Sequence, residues 1–348
     1  MPDGGRLAAD GPARGTRPLD RSLFDEVIVL ALRLRRRFRR IGVREIVLLR
    51  SGDRWREWSP FVEYPDAEAA RWLRASLEPD EPPRLRDSVP VNVTVPVLDP
   101  PAAAELVIAS GCRTAKVKVA DPRSDPAADL SRLRAVRQAL GPTGGLRVDA
   151  NGAWSVSQAE RLLTEWAELD LDYAEQPCAG VEELAELRER LRDRGTPVRI
   201  AADESIRRAA DPLRVRELGA ADVAVLKHQP LGGWRRCLGL GERLGLPVVL
   251  SSALESSVGL RMGLQTACAL PGPELACGLD TARLLADDVL AESLTARQGR
   301  LHLGAPPEPD PAVLRRLIRS ITRLACQVSS HTILPCPFGK LDDLRRRQ

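Results

Sequence analysis

The chain has 348 residues, of which 43% are apolar and 29% charged, with a net charge of +4. That excludes wholesale disorder and is enough for one large α/β barrel plus a smaller attachment, or two ordinary domains. No apolar run approaches the roughly 18 residues of a membrane span, and so slight a basic excess does not argue for nucleic acid or anionic lipid as the main partner.

In chain order, residues 1–20 mix Gly, Pro, Asp and Arg without an apolar centre and read as a disordered leader, not a secretory signal. Residues 21–90 read as an α+β unit. VIVLAL from Val27, VREIVLL from Val43 and WREWSPF from Trp55 have strand character. The arginines Arg33 to Arg40 fall between the first two and read as a mobile loop. A helix follows, with Asp66 as its cap and Ala69, Trp72, Leu73 and Leu77 on one face. The Pro-rich stretch Pro79 to Pro90 then reads as a linker.

Residues 91–304 change character. Short apolar runs at 89–97, 115–119, 146–152, 172–177, 198–205, 223–233, 247–259 and 275–281 alternate with Ala-, Leu-, Glu- and Arg-rich helical segments. Such a βα repeat suits a (β/α) barrel better than an open sheet, and no GxGxxG or phosphate loop accompanies any strand. Residues 305–348 read as a helix, Pro311 to Cys326, followed by a tail of unassigned role.

Seven cysteines are scattered without a CxxC pair, which argues for reduced thiols in a cytoplasmic setting and against structural zinc. Basic residues are more telling. Only four of 52 are lysine, namely Lys116, Lys118, Lys227 and Lys340, and lysine, unlike arginine, is able to shed a proton at usable pH. In a barrel the reactive groups sit where strands end, and three of these lysines close strands. Lys116 and Lys118 share a strand face, because side chains alternate. Three consecutive strands close with carboxylates, Asp149, Glu175 and Asp203, spaced by 26 and 28 residues. Neighbouring strands lie about 4.8 Å apart, so hard oxygen donors converge in a way that suits Mg²⁺, with Mn²⁺ as a substitute. A carboxylate substrate held there becomes acidic at its α-carbon, and a lysine whose pKa is depressed by adjacent positive charge is suited to take the proton. Asn151 and Glu204 are read as supports for these groups. Ser251, Ser252, Gly232 and Gly233 are read as candidate contacts for a further substrate carboxylate. Strand alternation turns His228 away from the mouth, and Trp154 and Trp166 read as packing in a helical stretch.

The motifs Lys-Val-Lys at 116–118, Asp-Ala-Asn at 149–151, Glu-Gln-Pro at 175–177, Asp-Glu-Ser at 203–205 and Lys227 of Lys-His-Gln-Pro-Leu-Gly-Gly resemble the enolase superfamily, muconate-lactonizing branch. Trp58-Ser-Pro-Phe61, residues 89–96 and residues 251–259 support the resemblance. It implies a modified (β/α)7β TIM-type barrel, with residues 21–90 as an α+β capping domain completed in part by the C-terminal segment. It also implies Mg²⁺ on Asp149, Glu175 and Asp203, Lys118 as the base, and Lys227 facing it. The chemistry implied is a metal-assisted syn-dehydration of a cyclohexadiene carboxylate. Racemisation of N-acylamino acids or epimerisation of dipeptides is the alternative, and a catalytically silent barrel a distant one. The partner expected is a small carboxylate; a monomer is compatible with all of this.

Overall fold

The computed structural model describes residues 23–122 and 124–318; the expected leader and the tail beyond residue 318 lie outside the described residues. The first sheet follows from alternation. In β1 (Glu26–Phe38) Leu30, Leu32 and Leu34 are buried while the residues between them face outward. β2 (Ile41–Ser51) and β3 (Arg54–Trp58) complete an antiparallel sheet in the order β1-β2-β3. The arginine run is therefore largely strand rather than loop. Only Arg39 and Arg40 form the turn, both in the left-handed region at φ 49° and 67°, joining the paired residues Phe38 and Ile41. Two positive-φ residues are what a tight hairpin turn demands.

Helix α1 (Asp66–Ser76) is capped by Pro65 in extended conformation, not by Asp66, whose carboxylate sits in the first turn against the positive end of the helix. Trp72 is fully buried on its inner face, whereas Leu77 stands exposed. The expected linker ends in a strand. β4 (Ser88–Pro90) pairs antiparallel with β12 (Arg300–His302), a partner too distant in sequence for local pattern to reveal.

The repeating units are β5 (Asn92–Val95) with α2 (Pro100–Ser110), β6 (Thr114–Lys118) with α3 (Pro126–Leu140), β7 (Gly145–Asp149) with α4 (Val156–Glu165), and β8 (Leu171–Glu175) with α5 (Val181–Asp193). β9 (Ile200–Ala202) is followed by the single turns α6 (Glu204–Arg207) and α7 (Arg214–Glu217). β10 (Val223–Leu226) is followed by α8 (His228–Leu231) and α9 (Trp234–Leu244), and β11 (Val248–Leu250) by α10 (Ser257–Cys268). β5 to β11 form one seven-stranded parallel sheet in sequential order, giving an α/β fold. The expected last run, 275–281, contributes two isolated parallel bridges, Cys277 to Val91 and Gly278 to Ser251, and so touches both outer ends of that sheet.

Both faces of the sheet are buried, as parallel strands require. In β10, Ala224 and Leu226 pack under the helices, while Val223 and Val225 join Tyr173, Ala201 and Val249 on the other face. A third cluster joins the sheets: Leu30, Leu32, Leu34, Ile46 and Leu48 meet Leu254 and Val258 near α10 and Leu314 and Leu317 of a helix over 311–318. Among the described residues no helix is long and apolar enough to cross a membrane.

Candidate active site

Strand register assembles the site. Lys118 of β6 pairs with Asp149 of β7, and Asp149 with Glu175 of β8, so three strand-ending residues form one row. Asp203 follows β9 directly, and Lys227 follows β10 in extended conformation. The three carboxylates are at most 1% exposed. Lys116, two residues before Lys118 and hence on the same face, donates to both Glu175 oxygens at 2.7 and 2.8 Å and lies 3.2 Å from Asp149 Oδ2. Lys118 Nζ donates to Asp149 Oδ2 at 2.5 Å and to Asn151 Oδ1 at 2.7 Å. Lys227 Nζ approaches from the far side, at the end of β10, four strands along the sheet from β6, and donates to Asp203 Oδ2 at 2.7 Å.

Burial works against every charge here, and the neighbours decide the outcome. Burial alone would raise the Asp149 carboxyl, but the ammonium groups of Lys118 and Lys116 hold it well below the carboxylate range. Asp203 is likewise held down against burial by Arg207 and Lys227. Glu175 goes the other way, raised by burial and then by the neighbouring charge of Asp149. Lys118 is lowered by burial first and by Lys116 in addition, whereas Lys116, despite burial, is raised by Glu175 and Asp149.

As these side chains stand, no three carboxylate, imidazole or thiol groups among the described residues enclose a point that could hold an ion. The reason is visible: Lys116 Nζ lies between Asp149 and Glu175, and Lys227 Nζ lies on Asp203. The chemistry of the donors nonetheless fits a hard divalent cation. They are three buried carboxylates with no histidine or thiol among them, and one of them, Glu175, is raised by burial and by Asp149 even with Lys116 on both its oxygens.

Residues 29–79 match the family described as Enolase N-terminal domain-like, and residues 101–309 the Enolase C-terminal domain-like family. An o-succinylbenzoate synthase of Thermobifida fusca is 54% identical over 274 residues, covering 78% of this chain and 85% of that protein. An o-succinylbenzoate synthase of Mycolicibacterium smegmatis is 48% identical over 300 residues, covering 85% and 90%. The chain belongs to the o-succinylbenzoate synthase family of the enolase superfamily. Among solved structures, a muconate lactonizing enzyme from Pseudomonas fluorescens superimposes with a TM-score of 0.71 at 23% identity over 84% of this chain and 97% of that one. An N-succinyl Arg/Lys racemase from Bacillus cereus does so at 0.69 and 18%, over 84% and 96%. These two likenesses show the fold.

The structure places the remaining expected residues unevenly. Asn151, at φ 49°, holds Lys118 and reaches Glu204 Oε1 at 3.4 Å. Ser251 and Ser252 line a cleft of about 40 Å³ together with Lys116, Lys118, Asp149, Asn151 and Lys227. Gly232 and Gly233 do not line it. The turn α8 carries them away from it to a buried position, where Gly232 meets Arg71 and Gly233 packs on Glu78, whose carboxylate accepts from the first backbone N–H groups of α9. They pack there, away from the residues that line the cleft. His228 faces away as expected, with Nδ1 2.8 Å from Thr266 Oγ1, its pKa pushed down to about 3 by burial and by Arg56. Trp154 and Trp166 are packing residues, edge to face at 5.6 Å, although Trp154 lies before helix α4 rather than in it.

Sequence reasoning passed over several residues. Gln176 Oε1 accepts from the backbone of Asp203 and Ser205 at 3.0 and 3.1 Å, tying two metal-type ligands together from inside the Glu-Gln-Pro motif. Arg207 Nε donates to Asp203 at 2.9 Å from one helical turn on, a spacing that could have flagged it. Phe38 and Arg39 of the β1–β2 turn also line the cleft, with Thr94, Leu254 and Thr281; no local pattern links a hairpin to strands a hundred residues away.

Proposed function

We propose that this site dehydrates 2-succinyl-6-hydroxy-2,4-cyclohexadiene-1-carboxylate to 2-succinylbenzoate, a step of menaquinone biosynthesis, as expected of an o-succinylbenzoate synthase. Asp149, Glu175 and Asp203 would hold Mg²⁺ or Mn²⁺. When bound, the ion supplies positive charge against the negative charge that builds on the substrate carboxylate as the α-proton leaves. Lys118, in its amine form, takes that proton, for which its lowered pKa suits it. The resulting ammonium returns the proton to the departing hydroxyl on the same face, so water leaves and the ring becomes aromatic. Lys116 stays charged and keeps Glu175 and Asp149 in place. Lys227 faces the substrate from the other side, where a cation against a ring contributes about 0.5–2 kcal/mol. Ser251 and Ser252 are positioned to hold the succinyl carboxylate. The fold reading is of a (β/α)7β barrel spanning residues 91–304, supported by the bridges from Cys277 and Gly278 to both sheet ends. Residues 21–90 and the helix at 311–318 would cap it. A cytoplasmic setting suits the five described cysteines, all free and buried.

The observation that carries the reading is the Lys118 amine, 2.5 Å from Asp149 in a buried row of carboxylates, with the Lys227 amine on Asp203 opposite. The test is incubation of the purified chain with the cyclohexadiene acid and Mg²⁺. Formation of the aromatic product is expected; its absence from folded, metal-loaded protein overturns the reading. Two-sided solvent deuterium exchange into an N-succinylamino acid, without dehydration, would replace it by racemisation.

A further inference from the structure

Six of the eight residues at 33–40 are arginine, and they sit on the β1–β2 hairpin. The tip of that hairpin reaches the catalytic cleft: Phe38 and Arg39 line it, and Lys118 Nζ lies 5.7 Å from the centre of the Phe38 ring. Strand residues rise about 3.3 Å each, so the backbone of Arg35, Arg36 and Arg37 lies within about 10 Å of Phe38, and Arg40 follows Arg39 directly. All six arginines are exposed. Only Arg33 has an ion-pair partner among the described residues, Asp287. Arg39 stacks on Phe61 at 4.4 Å and donates to the neutral Tyr64 hydroxyl at 3.4 Å. The side chains of Arg35, Arg36, Arg37 and Arg40 make no hydrogen bond, ion pair or ring contact among the described residues.

Packing does not call for these charges. β1 packs through Leu30, Leu32 and Leu34, and the acids of the adjoining segments, Glu45 on β2 and Glu63 ahead of α1, are exposed and pair with none of the arginines. Within the cleft, by contrast, charge is balanced: Lys116, Lys118 and Lys227 meet Glu175, Asp149 and Asp203, and Arg207 meets Glu204. The hairpin thus carries five positive charges without an ion pair among the described residues, Arg35, Arg36, Arg37, Arg39 and Arg40, where the whole chain nets only +4. Like charges crowded together repel, and one sign gathered at the rim of a cleft projects a field that draws in the opposite sign.

We propose that Arg35, Arg36 and Arg37 are steering residues, which draw the doubly anionic substrate to the cleft and raise kcat/KM without taking part in the chemistry. Under the dehydration proposed above, on which this rests, the substrate carries two carboxylates. None of the three arginines needs to touch it. Their field acts through water over a Debye length, about 10 Å at 0.1 M salt, which spans the distance from these arginines to the cleft wall. It is strongest in dilute buffer and is lost in concentrated salt.

The test compares the full wild-type chain with Arg35→Gln/Arg36→Gln/Arg37→Gln at saturating Mg²⁺ over a range of ionic strength. Two quantities are followed: kcat/KM for the cyclohexadiene acid and, by calorimetry, the Kd of 2-succinylbenzoate, the dianionic product. Three charges about 10–12 Å from a dianion in water should make about a tenfold difference at low ionic strength and less than about twofold near 1 M, where the Debye length is about 3 Å. The variant should therefore lose about tenfold in kcat/KM and in affinity at low salt, keep its kcat, and converge on wild type at high salt. Arg134→Gln/Arg161→Gln/Arg192→Gln removes the same charge from exposed positions on α3, α4 and α5 and should match wild type in both quantities. A low-salt loss below about twofold, a loss that persists near 1 M, a fall in kcat, or an equal loss in the outer-helix variant overturns the proposal. Should circular dichroism show the hairpin variant unfolded, the three single substitutions decide, each expected to cost about twofold at low salt. If wild type forms no aromatic product, the dehydration fails by itself and the Kd comparison still judges the steering; wild type that neither turns over the acid nor binds the product overturns both.

Discussion

Removing the amine of Lys118 tests the chemistry most directly. Its Nζ donates to Asp149 and Asn151 and lines the cleft. A positioned general base contributes about 10²–10⁴-fold, or about 3–6 kcal/mol of barrier. Lys118→Ala should therefore lower kcat by two to four orders of magnitude. The structure predicts that the fold survives, because Asp149 keeps Lys116 at 3.2 Å and is not left as an unpaired buried charge. The assay follows the absorbance of the aromatic product, with thermal unfolding and Mg²⁺ titration as controls on the same samples. pH adds a second readout. The reactive form is the neutral amine, so kcat should rise with pH along a limb whose midpoint lies below the ordinary lysine value, since burial and then Lys116 lower it. That limb should vanish from the residual activity of the variant. A folded, metal-binding Lys118→Ala protein within tenfold of wild type, or one retaining the limb, would refute the assignment.

Asn151→Ala removes an acceptor that favours the charged form of Lys118, so the limb should move to lower pH by about one unit, given about 1.5–3 kcal/mol for a charged hydrogen bond and some screening at a partly open position; a shift upward would contradict this. Gln176→Ala unties Asp203 from Glu175's neighbour, and Mg²⁺ affinity measured by calorimetry should fall about 10–100-fold. Glu57, which accepts from Ser59, Ser256 and Gly259, has its pKa raised from 4.5 to about 7, chiefly by burial. The folded form then binds its proton more tightly than the unfolded chain, so stability should decline as pH rises from about 4.5 to about 7, by about 3 kcal/mol. Glu57→Gln should flatten that decline in denaturant titrations. Trp166→Ala, at a fully buried ring, should cost about 3–5 kcal/mol in the same measurement.

The row of strand-ending acids and amines is legible in the sequence because it depends on short-range rules. Side chains alternate along a strand, so Lys116 and Lys118 must share a face, and one βα unit separates each carboxylate from the next. Register between adjacent parallel strands then leaves Asp149 and Glu175 side by side. Local rules fail where a single turn changes direction. Lys227 ends its strand as expected, but α8 turns Gly232 and Gly233, five and six residues later, away from the cleft and buries them against Arg71 and Glu78.

What amino-acid order alone determined was thus the chemistry: which acids and amines exist, and which strand ends present them. The tertiary structure decided which distant segments meet. It brought Phe38 and Arg39 over Lys118 and paired Ser88–Pro90 with Arg300–His302. The physical reason is range. Backbone sterics and side-chain alternation act over a few residues, whereas the burial of Leu30, Leu32 and Ile46 against Leu254, Val258 and Leu314 is settled only when the whole chain has packed.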